Sequence, residues 1–208
     1  MKNFAYSRPA DLTAATEAAS ADGTRIIAGG TTMVDLMKIG VLNPEALVDI
    51  SGITDLRGFD VISGRMRFGA LSTMSTVGDD PDVIAAFPAL SESLWKAASP
   101  QLRNAATLGG NILQHTRCPY YRDTAYTQCN KRAPGSGCAA LEGGETTLHA
   151  ILGGSSSCVA KYPGDFAQVL VAFDAEVKTQ GPGGTRTIAF AQLHRLPGDT
   201  PHIETVLE

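Results

Sequence analysis

Nowhere among the 208 residues do apolar side chains run on for long enough to cross a bilayer as a helix. The first ten residues, MKNFAYSRPA, also lack the apolar core of a secretory signal, so the chain is expected to carry no export signal of its own. Charged residues are sparse at 18% against 43% apolar, which excludes a disordered polyampholyte. Seventeen Lys and Arg against 21 Asp and Glu give a net charge of −4 with no basic run, and neither nucleic acid nor an anionic membrane surface is expected as a partner. Aromatics are scarce at 6%. The G-x-G-x-x-G dinucleotide fingerprint and the G-x-x-x-x-G-K-S/T phosphate loop are both missing, which removes Rossmann and P-loop assignments. No Ser/His/Asp or Cys/His nucleophile set stands out. What the chain does have is 22 glycines and four cysteines, and both are clustered.

The pattern predicts a βαβ-like first lobe over residues 1–55. Pro9 to Ala21 reads as a helix with Asp11 as its cap and Gly23 just past its end. Arg25 to Ala28 reads as a strand that ends at Gly29-Gly30. Thr31 to Ile39 follows as a helix with Met33, Val34 and Met37 on one face, and Ala46 to Ile50 as a second strand. A second lobe, 56–208, is expected to hold a strand from Arg65 to Leu71 and a helix from Asp80-Pro81 through Ala86. An amphipathic helix from Pro88 to Ala98 should turn Leu90, Leu94 and Trp95 inward. A helix from Asp165 to Ala175 should bury Phe166, Val169, Leu170 and Phe173. A hairpin should pair Glu176 to Thr179 with Thr185 to Phe190. Between these lies a stretch, 115–160, with almost no period, too long for an ordinary connection in a compact domain.

Two glycine loops stand where backbone must bend. Ala28-Gly29-Gly30-Thr31-Thr32 leaves a strand and opens a helix, so its N–H groups and the two threonine hydroxyls are suited to a diphosphate; a plain turn is the other possibility. The second, Asn104 to Asn111, follows Gln101 and Arg103 and repeats that chemistry with Thr107, Gly109, Gly110 and Asn111.

All four cysteines, Cys118, Cys129, Cys138 and Cys158, fall in the aperiodic stretch. Thiolates on a metal centre order a loop that burial cannot, and the spacing leaves an iron–sulfur cluster, zinc, disulfides and unlinked thiols all open. The gaps of ten, eight and nineteen residues are long for zinc, whose ligands usually come as close pairs. His115 and His149 flank the window as polar loop residues. Tyr120, Tyr121 and Tyr126 are available to shield a cluster or simply to pack. Lys131 and Arg132 read as exposed loop cations that would offset a cluster's negative charge.

The segments AGGTTMVDLMK, Ala28 to Lys38, and ATLGGN, Ala106 to Asn111, resemble the FAD-binding subunit of the molybdenum hydroxylases, the xanthine dehydrogenase and aldehyde oxidoreductase family. The resemblance covers essentially the whole chain. It implies an α+β, two-lobed FAD-binding fold of the vanillyl-alcohol oxidase and molybdopterin dehydrogenase type. FAD would lie between the lobes, with Ala28, Gly29, Gly30, Thr31, Thr32, Thr107, Gly109, Gly110 and Asn111 about its diphosphate and ribose, Gln101 and Arg103 beside them and Asp165 toward the adenosine end. The run from Arg117 to Gly144, with the HAILGGSSSCVAKYPGDFA segment after it, resembles the insertion in the flavin subunit of bacterial PaoABC-type aldehyde oxidoreductases. That insertion implies a [4Fe–4S] cluster on Cys118, Cys129, Cys138 and Cys158, a feature that xanthine dehydrogenase flavin domains generally lack.

The resemblance further implies an electron-transfer subunit in a heterotrimer. A molybdopterin-binding large subunit oxidises an aldehyde, a small [2Fe–2S] subunit relays the electrons, and the flavin delivers them to an external acceptor. Such a complex is periplasmic by co-export with a signal-bearing partner, or cytoplasmic. Flavin subunits of this kind continue into a further C-terminal domain that the 208 residues do not contain.

Overall fold

The computed structural model describes residues 1–195. The final part of the expected second lobe, 196–208, lies outside the described residues.

The chain opens with strand β1 (Ala5–Ser7) and helix α1 (Leu12–Ala19). Asp11 caps α1 as expected, its Oδ1 accepting from the Ala14 N–H at 2.8 Å, which satisfies one of the orphan donors of the first turn. Then come β2 (Thr24–Ile27), α2 (Met33–Lys38) and β3 (Ala46–Asp49). The three strands form one parallel sheet in the order β1-β3-β2. Ala15 of α1 packs over it with Val48, Ile53 and Leu71. Strand β1 escapes the sequence pattern because all three of its residues are exposed, so no alternation marks it.

The next segment is a β-hairpin, β4 (Phe59–Ile62) with β5 (Arg65–Phe68), paired antiparallel. Five helices follow: α3 (Met74–Gly78), α4 (Pro81–Ala86), α5 (Pro88–Lys96), α6 (Pro100–Ala105) and α7 (Leu108–Ile112). After the cysteine-bearing stretch, whose one helical turn is α8 (Pro119–Arg122), come α9 (Asp165–Ala172) and the antiparallel hairpin β6 (Glu176–Gly181) and β7 (Gly184–Ala189). The main core gathers Met74, Val77, Leu90, Leu94, Leu108, Phe166, Leu170 and Leu193, with apolar faces of both hairpins against it.

Two inward assignments are corrected. Trp95 is 42% exposed and donates Nε1–H to Asp79 Oδ1 at 2.7 Å, because α5 turns Leu90 and Leu94 to the core and leaves its neighbour on the rim. Phe173 lies just past the end of α9 and is 47% exposed, packed edge-on to Phe87. On α2 the buried residues are Leu36 and Met37, with Met33 and Val34 only half-buried.

Candidate functional site

The two glycine loops, far apart in sequence, meet in space. A Cβ on Gly29 would lie far inside van der Waals contact with the Ala105 carbonyl oxygen, so the first loop lies directly on the segment that leads into the second. Gly30 has φ +72°, a left-handed conformation that only glycine adopts without strain. The Gly30 and Thr32 carbonyls accept from Val34 and Leu36, and the Thr32 side chain makes no cap bond to α2. The loop therefore presents peptide N–H groups ahead of the helix that no side chain has claimed.

The second loop is held from behind. Leu108 N–H donates to the Ser72 carbonyl and Gly109 N–H to the Ala70 carbonyl, both at 2.9 Å. A Cβ on Gly109 would lie 2.9 Å from that of Ala70, which is why glycine stands there. Thr107 is buried and caps α7, its Oγ1 accepting from Gly110 N–H at 3.1 Å. Asn111 donates Nδ2–H toward Met74 Sδ at 3.6 Å, while its Oδ1 is buried with no hydrogen-bond partner. Tyr162 anchors the far end of α7 by donating to the Asn111 and Ile112 carbonyls, at 3.1 and 2.9 Å.

Gln101 is exposed on α6. Arg103 is engaged within the fold: its Nη1 donates to the carbonyls of Trp95, Ala97 and Ala98 at 2.9, 3.3 and 3.0 Å, which closes the C-terminal end of α5. Asp165 is exposed at the first turn of α9.

The cysteine-bearing stretch is also gathered together. All four thiols are free, Cys129 and Cys158 buried and the other two half-buried. Cys129 and Cys138 face each other in an antiparallel bridge. Burial pushes the Cys118 and Cys158 thiols above the ordinary 9.0, and charge from the other cysteines pushes the same way: Cys129 and Cys138 act on Cys118, Cys138 and Cys118 on Cys158. The four thiols thus share one neighbourhood, although among the described residues no three His, Cys, Asp or Glu side chains close to single-ion distances. A tetrahedral zinc with bonds of about 2.3 Å would need them that close.

Backbone N–H groups of Tyr120 and Tyr121 donate to the Cys118 sulfur, and Ala160 N–H lies 3.5 Å from that of Cys158. Arg132 is not an exposed cation. Its Nη1 donates to the Tyr120, Tyr121 and Asp123 carbonyls and its Nη2 to that of Tyr126, so the loop folds around the guanidinium. His149 is not a simple polar loop residue either; it is buried with Nε2 3.2 Å from Cys118 Sγ. Tyr120 and Tyr121 are buried, and Tyr126 is exposed edge-on to Tyr120.

The stretch meets α2 through its first part, around Tyr121, Arg122 and Cys129. Tyr121 and Cys129 pack with Leu36, and Arg122 Nη2 lies 2.6 Å from Asp35 Oδ2. Asp35 and Arg122 each lie inside a segment the sequence singles out, Ala28 to Lys38 and Arg117 to Gly144, but nothing except their opposite charges marked them as a pair.

Residues 2–207 match the family described as the FAD binding domain in molybdopterin dehydrogenase, and the chain belongs to that family. It is similar to the aldehyde oxidoreductase FAD-binding subunit PaoB of Escherichia coli (strain K12), with 45% identity over 215 residues, covering 100% of this chain and 65% of that relative. It is also similar to the carbon monoxide dehydrogenase medium chain of Hydrogenophaga pseudoflava, 35% identical over 88 residues, which cover 42% of this chain and 31% of that one. The chain thus spans less than two thirds of the length of these curated relatives.

Among solved structures, carbon monoxide dehydrogenase from Hydrogenophaga pseudoflava shares the fold with a TM-score of 0.66 at 22% identity, over 92% of this chain and 52% of that one. Quinoline 2-oxidoreductase from Pseudomonas putida 86 gives 0.65 at 21% identity, over 93% and 53%. The expected FAD-binding fold of mixed α and β elements is borne out, and FAD is the cofactor of the family. The glycine loops fit it: they are adjacent, the first offers peptide donors that no side chain has claimed, and on the second, whose N–H groups at 108–111 are engaged within the protein, the buried Asn111 Oδ1 lacks a protein partner.

Proposed function

We propose that the chain is the FAD- and [4Fe–4S]-binding electron-transfer subunit of a molybdenum-dependent aldehyde oxidoreductase. The observation that carries this reading is the docking of the cysteine-bearing stretch on α2, the helix that leaves the first glycine loop, so that both candidate cofactor sites share one element. On this proposal residues 1–55 and 56–208 are the two lobes, with 115–160 as the iron–sulfur insertion.

Ala28, Gly29, Gly30, Thr31 and Thr32 on one side and Thr107, Gly109, Gly110 and Asn111 on the other hold the diphosphate and ribose of FAD. Gln101 and Arg103 line the approach and Asp165 lies toward the adenosine. Cys118, Cys129, Cys138 and Cys158 hold the cluster, whose sulfurs stand farther apart than the ligands of a single ion. The family's FAD exchanges electrons in pairs or singly, and a cluster stores them one at a time. The polypeptide's work is to hold the glycine loops against each other, to keep water from the thiolates with Tyr120 and Tyr121, and to donate N–H groups to the sulfurs.

The partners on this reading are a molybdopterin-binding large subunit, a [2Fe–2S] small subunit and an external electron acceptor. The compartment is the periplasm, reached by co-export with a signal-bearing partner, or the cytoplasm. The PaoB similarity supports the aldehyde branch.

Flavin and iron content test the reading. Gly30→Val and Gly110→Val should deplete FAD from protein that remains folded. Cys129→Ser should drop iron well below four per chain. Aldehyde-dependent dye reduction should require the added partner subunits, and substantial turnover by the chain alone would overturn the relay role. Full FAD retention in both glycine variants would remove the loop assignment, and a colourless protein holding stoichiometric zinc would favour a non-enzymatic module with a structural four-cysteine zinc site.

A further inference from the structure

His149 is 6% exposed, and its two ring nitrogens have unequal surroundings. Nε2 lies 3.2 Å from Cys118 Sγ, whereas Nδ1 is buried with no hydrogen-bond partner. The ring stacks on Tyr120 with centroids 5.7 Å apart and planes 28° from parallel, which fixes its orientation. A buried N–H without an acceptor is costlier and rarer than a buried lone pair without a donor. The tautomer that suits this site therefore carries its proton on Nε2 and leaves Nδ1 bare. Nε2–H then points at the sulfur, and it has a full acceptor there only when Cys118 is a thiolate, the form in which cysteine ligates iron.

We infer that His149 is a positioning and tuning residue for the cluster: its Nε2–H donates to the Cys118 thiolate and makes reduction of the cluster easier. The inference rests on the proposed cluster and adds to it a side chain that is not a ligand. The peptide N–H groups of Tyr120 and Tyr121 also act on the Cys118 sulfur, each favouring its thiolate. The positive ends of these N–H dipoles offset the charge that arrives on reduction. In a water-poor loop that offset is large, and hydrogen bonds to the sulfurs are one of the levers that set cluster potentials. His149 brings a side-chain nitrogen to this sulfur.

The experiment uses the full chain loaded with iron and sulfide. Redox titration followed by electron paramagnetic resonance gives the potential of wild type, His149→Phe and His149→Gln. Phe keeps a ring against Tyr120 and removes the donor, whereas Gln keeps an N–H. His149→Phe should make reduction about tenfold less favourable, a shift of about 59 mV to more negative potential for one electron. His149→Gln should fall between it and wild type.

Pulsed resonance on the reduced wild-type cluster with 15N-labelled histidine provides a second readout, independent of how the variants assemble. A histidine-nitrogen coupling is expected. Iron present without that coupling, or a His149→Phe potential equal to wild type, overturns the inference alone. Wild type that takes up no iron overturns instead the cluster reading beneath it.

Discussion

The Arg122 guanidinium sits 2.6 Å from the Asp35 carboxylate, joining the cysteine-bearing stretch to the helix that begins at the first glycine loop. The pair is partly exposed, so its coupling should be modest, about 1 kcal/mol or less in a double-mutant cycle of Asp35→Ala and Arg122→Ala. The larger expected effect is local. Either substitution should speed proteolysis within residues 118–158 while the rest of the chain stays resistant, since this is the described ion pair between that stretch and α2. Equal cleavage rates in variant and wild type would show that the apolar contact of Tyr121 with Leu36 suffices.

Gly29 and Gly30 should respond differently to the same methyl group. At Gly30 the cost is conformational, about 1–2 kcal/mol for a left-handed alanine, because its nearest neighbour would be Val34 Cγ2 at 3.3 Å. At Gly29 the methyl would meet the Ala105 carbonyl, which must move and take the second loop with it. Gly29→Ala is therefore expected to lose more flavin per folded chain than Gly30→Ala, as read by absorbance after gel filtration. The reverse order would argue against a shared gap between the loops.

Acid should weaken the fold through His115. Burial, reinforced by the charges of Lys131 and Arg25, holds its imidazole down at about 4 against an ordinary 6.5. The unfolded chain thus takes up this proton at a higher pH than the folded one. The stabilisation is whole above pH 6.5 and is lost as pH falls from 6.5 toward about 4. The full span corresponds to about 3 kcal/mol. Urea midpoints measured across that window on metal-free protein should fall for wild type and fall less for His115→Gln.

Tyr162→Phe should cost about 1–3 kcal/mol, because the hydroxyl serves two carbonyls of α7. Thermal unfolding of the variant, with flavin content beside it, checks whether that anchor also steadies Asn111.

The turn at Gly29-Gly30 between a strand and a helix was legible because the β-branched run before it and the helical spacing after it are local signals, and the Asp11 cap because its position before an alanine-rich helix is one too. The meeting of Gly29 with Ala105 was not legible, since a contact between backbone segments leaves no side-chain pattern. The same holds for the cysteines: their presence in one stretch could be counted, but their shared neighbourhood depends on turns around Arg132 and on docking against Leu36. Trp95 misled because helical spacing puts it beside Leu94, and the boundary of the buried face of α5 falls between the two.

The contact of Gly29 with Ala105 makes the two glycine loops one mould with two addresses in the chain. Neither half is a portable motif. Residues 28–32 moved into another scaffold would carry their glycines and threonines but leave behind the carbonyl against which Gly29 is shaped, and with it the width of the gap. Recombination between relatives should therefore succeed when both segments come from the same parent and fail more often when they do not, even where each segment taken singly is acceptable. Chimaeras that exchange residues 28–38 and 101–112 separately and together would measure that dependence.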